Sequence, residues 1–385
     1  MHSQRGWRHM SGSFAIEEYK ARLHRAQELM RQHRIGAILL TREPDIRYFS
    51  GFMTRFFESP CRSWFLIVPG IGDPIAVIPS IGAEAMGGTW IADIRTWSAP
   101  APEDDGVTLL SDALREVGGP VGMPSRQGTH MRMPLSDFAK LRDCAGLDFT
   151  DDFGIVAGLR EIKSKAEIER ISDACSVAGR AFSRIGEIAG EGAQLDRVFR
   201  DFQRLLLEEG ADWVPYLAGG SDQEGYSDII SSATDRRLQH GDVLMLDTGA
   251  IKNGYYCDFD RNFAIGNAGG YPKAAYARLI DATNAGLETA RPGTAVCEIW
   301  KAMADIVGDG EETGRLGHGL GMELTEGVSI TPWDQTELRP GMVIALEPGT
   351  RVANGKIMVH EENIAITEEK PIILSPLAGP ELPVI

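Results

Sequence analysis

No apolar run in the 385 residues approaches the roughly 20 that a membrane helix needs, so no membrane partner is expected. Basic residues are the minority: 39 Lys and Arg against 55 Asp and Glu leave a net charge of −16. That balance disfavours a nucleic-acid partner as well. Cysteines number five (Cys61, Cys144, Cys175, Cys257 and Cys297), an odd count with no CxxC pair. Neither a disulfide framework nor a thiolate zinc site is expected, and free thiols fit a cytoplasmic protein. There is no HExxH motif, and no Gly-rich phosphate loop follows a strand, which makes a nucleotide site unexpected. The opening MHSQRGWRHMSGS has no apolar secretion-type core, and residues 1–13 are expected to form a disordered tail.

What is present is the composition of an ordinary globular protein, 43% hydrophobic and 24% charged, long enough for two domains. From Ile16 to Gln32 the apolar positions Tyr19, Leu23, Ala26, Leu29 and Met30 recur at helical spacing. IGAILLT (Ile35 to Thr41) reads as a buried strand, and RYFSGF, WFLIVPG, PIAVIPS and IRTW as further short strands. Helical patterns at Leu109 to Val117 and Leu135 to Cys144 flank the strand-like VGMPS. This mixture implies an α/β domain over 14–154, with a second domain over 155–385.

The second domain repeats itself. A helix is expected from Ser164 to Ala189, with Ser164 and Glu167 at capping-box spacing. Gly192 is followed by Leu195, Val198, Phe199, Phe202, Leu205 and Leu206. A helical stretch from Tyr271 to Ala290 leads to Gly293, then Val296, Ile299, Trp300, Met303, Ile306 and Val307. The offsets from each glycine are the same, which suggests an internal duplication of helix, turn, helix and antiparallel strands. Coincidence between two amphipathic helices is the alternative. The strands are expected at VPYLAGG, SDIISS, DVLMLDTGA and YYCDFDRNFAIG in the first copy. In the second they are expected at VSITPW, MVIALEPGT and IMVHEENIAIT. A pseudo-two-fold α+β domain with a cleft between its halves follows.

Five segments put a metal-ligand residue into an apolar, strand-like setting: Asp247 in LMLDTGA, Asp258 in YYCDFDR, His318 in GRLGHGLGM, Glu347 in VIALEPGT and Glu361 in IMVHEENIAIT. Carboxylates are seldom buried unless paired or bound to metal. Four of them with one imidazole suit a pair of Mn²⁺, Fe²⁺, Co²⁺ or Zn²⁺ ions, which can generate a hydroxide and polarise a carbonyl.

These motifs resemble those of the pita-bread metallohydrolases: aminopeptidase P, prolidase, methionine aminopeptidase and creatinase. The likeness runs from LREIKSKAEIE through GDVLMLDTGA, the eleven-residue step from Asp247 to Asp258, GHGLG and LRPGMVIALEPG to HEENIAIT. DIRYFSGF and SWFLIVPG resemble the creatinase-type N-terminal domain more loosely. The resemblance implies a homodimer in which Asp247 chelates one ion, Asp258 and Glu361 bridge two, and His318 and Glu347 hold the second. Glu347 would also shuttle the proton of the attacking water. It further implies hydrolysis of a peptide or amide C–N bond in a short peptide or small molecule, as an Xaa-Pro aminopeptidase or dipeptidase.

The departures from that family matter. Its peptidases usually show HGxGHGxG followed by VHE, but here Gly314 stands four before His318 and Thr325 seven after it. Val359 replaces an arginine two before Glu361, and no histidine precedes Asp247 at the family position. Peptide recognition is therefore expected to differ. A creatinase-like small-molecule hydrolase, a dimethylsulfoniopropionate-lyase-like enzyme and a catalytically dead binding protein are the rival readings. Tyr226, Tyr256, Asp260, Glu323 and Thr325 are candidate substrate contacts. So are Arg55, Phe57, Arg62 and Trp64 in FMTRFFESPCRSW, where aromatic and cationic groups would suit an anionic end.

Overall fold

The computed structural model describes residues 13–59, 62–308 and 314–385. All but Ser13 of the tail expected at 1–13 lies outside them. The chain separates into two compact units, 1–160 and 161–385.

In the first unit the helix Ile16–His33 buries Tyr19, Leu23, Ala26 and Met30, the stripe that the sequence spacing places on one face. Six strands form one sheet in the order Asp93–Trp97, Ile75–Pro79, Phe65–Pro69, Ala37–Leu40, Val121–Met123 and Phe149–Asp151. The Phe65–Pro69 strand is antiparallel to both its neighbours, and the outer pairings are parallel. Helices Val107–Val117 and Leu135–Ala145 pack on one face through Leu110, Leu114 and Leu141. One expectation fails here. RYFSGF is not a strand, because Glu43–Ser50 is a helix closed by Gly51 at φ 75°. Pro44 in its first turn, beside Glu43 and Asp45, favours helix initiation, and Ile46, Tyr48 and Phe49 are all buried, so period-two alternation was never present.

The second unit opens on the helix Lys165–Ser183, capped reciprocally by Ser164 and Glu167. It ends six residues before the expected Ala189, and a short 3-10 turn, Ile185–Glu187, follows. Its duplication appears in the backbone bonding. Gly192 and Gly293, at φ 84° and 83°, start matching turns that a side chain would strain. The Gly192 N–H donates to Leu238 O at 2.8 Å, and the Gly293 N–H to Leu338 O at 2.8 Å. Leu238 N–H returns a bond to Ala193 O, as Leu338 N–H does to Thr294 O, both at 2.9 Å. Helices Leu195–Glu208 and Val296–Val307 leave these turns with equivalent apolar faces.

Each repeat supplies a small antiparallel sheet. In the first, Asp242–Lys252 lies between Trp213–Gln223 and Phe259–Ala264; in the second the order is Gly317–Gly319, Val343–Leu346, Glu362–Ala365 and Ile372–Ile373. SDIISS is not a strand. Asp228 folds it into a turn by accepting from the Ser231 N–H at 2.8 Å and hydroxyl at 2.9 Å, and Ile230 is exposed. VSITPW contributes only an isolated bridge, Ser329 to His318.

Candidate metal centre

Strand register explains why distant residues meet. Asp247 pairs with Asp260 across the first sheet, and Asp258 follows just beyond the Thr248–Phe259 pair. In the second sheet His318 pairs with Ala345, and Leu346 with Glu362, so Glu347 and Glu361 leave the ladder together. The two sheets are stitched at this level. The Glu361 N–H donates to Asp260 Oδ1 at 2.9 Å, and Arg261 Nη1 donates to the Glu361 carbonyl at 3.0 Å. The Asn363 amide clamps the Asp258 peptide, its Oδ1 accepting from Asp258 N–H at 2.9 Å and its Nδ2 donating to Asp258 O.

The result is a close, buried cluster. His318 Nε2 lies 3.3 Å from Asp258 Oδ2 and 3.8 Å from Glu361 Oε1. One ligand atom from each of Asp258, His318 and Glu361 fits within a span of 4.8 Å. Asp247, Asp258, His318 and Glu361 are 8%, 3%, 2% and 2% exposed, while Glu347 is half-buried. Asp247 Oδ2 accepts from the Tyr216 hydroxyl at 3.0 Å. Burial and the Asp247 charge raise the Tyr216 pKa, so this phenol stays a donor.

These groups are suited to a cation. Asp247 Oδ1, Asp258 Oδ1 and Glu361 Oε1 are buried without a hydrogen-bond partner among the described residues, a costly state for carboxylates. Burial pushes all three carboxyls well above the usual range, and repulsion adds to it: from Asp258 on Asp247, from Glu347 on Asp258, and from Asp258 on Glu361. Burial lowers the His318 pKa, keeping its ring neutral. With Nδ1 3.0 Å from the Gly319 carbonyl, the proton belongs on Nδ1 and the Nε2 lone pair faces the carboxylates. Lone pairs aimed at one another across 3–4 Å are relieved by a proton or a metal ion between them.

A second buried group lies behind this one and was not singled out in the sequence. His360 Nδ1 sits 3.5 Å from Asp260 Oδ1, and its Nε2 3.3 Å from Glu362 Oε1. Burial pulls the imidazole pKa down, but the two flanking carboxylates outweigh it and raise it. Burial alone would raise Glu362; His360, Arg261 and Ser375 reverse that and hold it at about 2. Asp260, expected at the substrate, instead buttresses Glu361 from the core. Tyr226 is likewise 1% exposed, and its hydroxyl is engaged by Asn262 Oδ1 at 3.1 Å and by the Val359 N–H at 2.7 Å. Neither is open to a substrate.

Tyr256 and Glu323 are partly exposed, joined through Gly321, whose carbonyl accepts from Tyr256 N–H at 2.8 Å and whose N–H donates to the Glu323 carbonyl at 3.1 Å. Thr325 is exposed. In the first unit Trp64 is 2% exposed and packs at a tilt with ring centroids 5.5 Å from those of Phe57 and Phe52, so these rings form core. Arg132 holds that segment by donating to the carbonyls of Phe57 and Arg62 at 2.7 and 2.6 Å. The Arg62 guanidinium lies 5.2 Å from the Phe56 ring, and Arg55 pairs with Glu58.

The sequence reading also passed over Arg315, an exposed residue whose positive charge favours ionised Asp258 and Glu347. It carries no apolar context that would have flagged it.

Residues 169–368 match the model of metallopeptidase family M24, and 22–162 that of the creatinase/prolidase N-terminal domain. The Xaa-Pro dipeptidase of Pyrococcus furiosus is 26% identical, with 91% of this chain and 96% of that protein covered. The probable dipeptidase PepE of Mycobacterium tuberculosis is 27% identical, with 93% and 94% covered. Among solved structures, recombinant prolidase from Thermococcus sibiricus shares the fold at a TM-score of 0.85 and 23% identity, covering 97% of this chain and all of that one.

Proposed function

Because the chain belongs to metallopeptidase family M24 and is a metal-dependent hydrolase, we propose that it is a dipeptidase cleaving the C–N bond of short peptides, Xaa-Pro dipeptides first among them. The observation that carries this reading is the buried cluster in which Asp258 Oδ2 and Glu361 Oε1 lie 3.3 and 3.8 Å from Nε2 of the neutral His318 ring, while one oxygen each of Asp247, Asp258 and Glu361 lacks a hydrogen-bond partner among the described residues. A dead binding protein would bear their cost to stability with no return in function.

In this reading Asp247, Asp258, His318, Glu347 and Glu361 hold two divalent ions, with Mn²⁺, Co²⁺, Zn²⁺ and Fe²⁺ as the candidates. When bound, such ions polarise the scissile carbonyl and acidify water. Glu347, the one half-buried member, lines a cavity of about 320 Å³ and is placed to take a proton from the attacking water and pass it to the leaving nitrogen. His318 keeps its Nε2 lone pair available through the Gly319 contact. Asn363 fixes the Asp258 backbone, and Asp260 the Glu361 backbone. Tyr216 orients Asp247. We further take the protein to be cytoplasmic, consistent with its four free cysteines among the described residues, and to act as a homodimer.

Gly314, Thr325 and Val359 favour a second reading, a small-molecule hydrolase or lyase on the same scaffold. Val359 is 8% exposed with an aliphatic side chain, so it supplies no donor to a peptide. Turnover by the metal-loaded protein on Ala-Pro, Xaa-Pro-Xaa tripeptides and a panel of small amides and betaines separates the two. Cleavage of Ala-Pro is expected, and turnover confined to non-peptide substrates would refute the dipeptidase reading.

A further inference from the structure

The segment that follows His318 turns back on itself, and a buried ion pair holds it there. Lys163 Nζ lies 2.9 Å from Glu326 Oε1, with the two side chains only 3% and 7% exposed. Both residues belong to the second unit. The Lys163 backbone is itself fixed, its N–H donating to Gly341 O at 2.8 Å. Glu326 Oε2 accepts from the Glu323 N–H at 3.2 Å, so one carboxylate ties the lysine to the turn it closes. The glycines of GHGLG make room for this arrangement. A side chain on Gly321 would run into Glu326 Oε1 and come within 2.8 Å of Lys163 Cε, and one on Gly319 would strike the Glu326 carbonyl.

The pair matters because of the bond that Glu326 makes next. Its N–H donates to Gly319 O at 2.8 Å, and the same carbonyl lies 3.0 Å from His318 Nδ1. A relay therefore runs from Lys163 through Glu326 and the Gly319 carbonyl to the His318 ring. Two donors on one carbonyl use both its lone pairs, so the peptide cannot swing without losing one of them. A swing would release the Nδ1 proton, and an imidazole that carries its proton on Nε2 has no lone pair there to offer a metal.

We propose that Lys163 is a positioning residue: its ion pair with Glu326 fixes the Gly319 carbonyl, which keeps the His318 proton on Nδ1 and the Nε2 lone pair directed at Asp258 and Glu361. Apolar side chains of similar volume often hold a fold as well as a buried ion pair does, so what this pair supplies is geometry. The assignment rests on the proposed role of His318 as a metal ligand and adds to it a residue that touches neither metal nor substrate.

Wild type, Lys163→Met and the double variant Lys163→Met/Glu326→Leu are titrated calorimetrically with Mn²⁺ and melted in the metal-free state. The His318 tautomer is read from imidazole nitrogen NMR shifts of isotope-labelled, metal-free protein, with the signals assigned by their loss in His318→Gln. Lys163→Met strands a buried carboxylate and should lower Tm by on the order of 10 °C, most of which the double variant should recover. A pair that only stabilised the fold would let the double variant recover Mn²⁺ affinity as well. Affinity should instead stay about 10–100-fold below wild type in both variants, with His318 partly protonated on Nε2. Wild-type affinity in the double variant overturns the proposal, as does an unchanged Nδ1–H tautomer; if Lys163→Met does not fold, the double variant alone decides. A wild type that binds no Mn²⁺ refutes the ligand reading, and the tautomer then decides the role of Lys163 by itself. Turnover plays no part, so failure to cleave Ala-Pro would sink the peptide reading and leave this one standing.

Discussion

Asp258→Asn should affect the metal-free and metal-loaded proteins in opposite directions. Asp258 is 3% exposed, and burial and Glu347 push its carboxyl well above the usual range. Asparagine keeps the shape and removes the charge, relieving a penalty of about 1–3 kcal/mol. The unit that carries the site, 161–385, has about 225 residues. At that size 1 kcal/mol moves Tm by about 2–4 °C, so the metal-free variant should melt several degrees above metal-free wild type. Metal at about a hundred times Kd adds about 2.7 kcal/mol to wild type, or roughly 5–11 °C, and should add little to the variant. The pH dependence has a definite sign. Carboxyls whose folded pKa is raised bind more protons in the folded state, so metal-free wild type loses stability as pH rises above about 4. The gap between the two metal-free proteins should therefore widen from about pH 5 to about pH 8. Scanning calorimetry of chelator-treated and Mn²⁺-reconstituted samples reads all three effects. A metal-free variant that melts below wild type, or an undiminished metal-induced shift, would show that the Asp258 charge is not what destabilises the metal-free site.

Three further outcomes are expected. Glu347→Gln should leave the metal-free Tm within a few degrees while abolishing most turnover on Ala-Pro, since an amide cannot take up a proton at neutral pH; near wild-type kcat would remove Glu347 from proton transfer. Asn363→Ala frees both polar groups of the Asp258 peptide, so metal affinity measured by calorimetry should fall about 10–100-fold, with unchanged affinity counting against a positioning role. Ser164→Ala removes half of the capping box on Lys165–Ser183 and should cost about 1 kcal/mol in denaturant melts, with no change in metal affinity.

How much of this was legible in the sequence depended on whether a residue's surroundings were local. Gly192 and Gly293 could be matched because each heads its own helix, and the later bonds to Leu238 and Leu338 only repeat that match. Asp247 and Glu347 could be singled out because each ends an apolar strand. The helix Glu43–Ser50 was misread because its buried residues serve the whole first unit rather than one amphipathic face. His360 and Glu362 stand two residues apart, but their other partners Asp260 and Arg261 lie about a hundred residues away, and only strand register brings those in. Trp64 and Phe57 looked like contact residues in a linear motif, yet an aromatic cluster satisfies itself by packing inward.

The repeated architecture has a mechanical corollary. In the proposed ligand set Asp247 and Asp258 belong to one copy of the motif, and His318, Glu347 and Glu361 to the other, so neither copy alone would carry a full coordination sphere. Any ion they share is a rivet through two plates. Chelation should then be felt along the seam, where amides such as Asp258 and Glu361 N–H would exchange with solvent faster while the Leu195–Glu208 and Val296–Val307 helices kept their protection. A gene that doubled would thus have gained its chemistry at the join, in the one place where both copies had to stay.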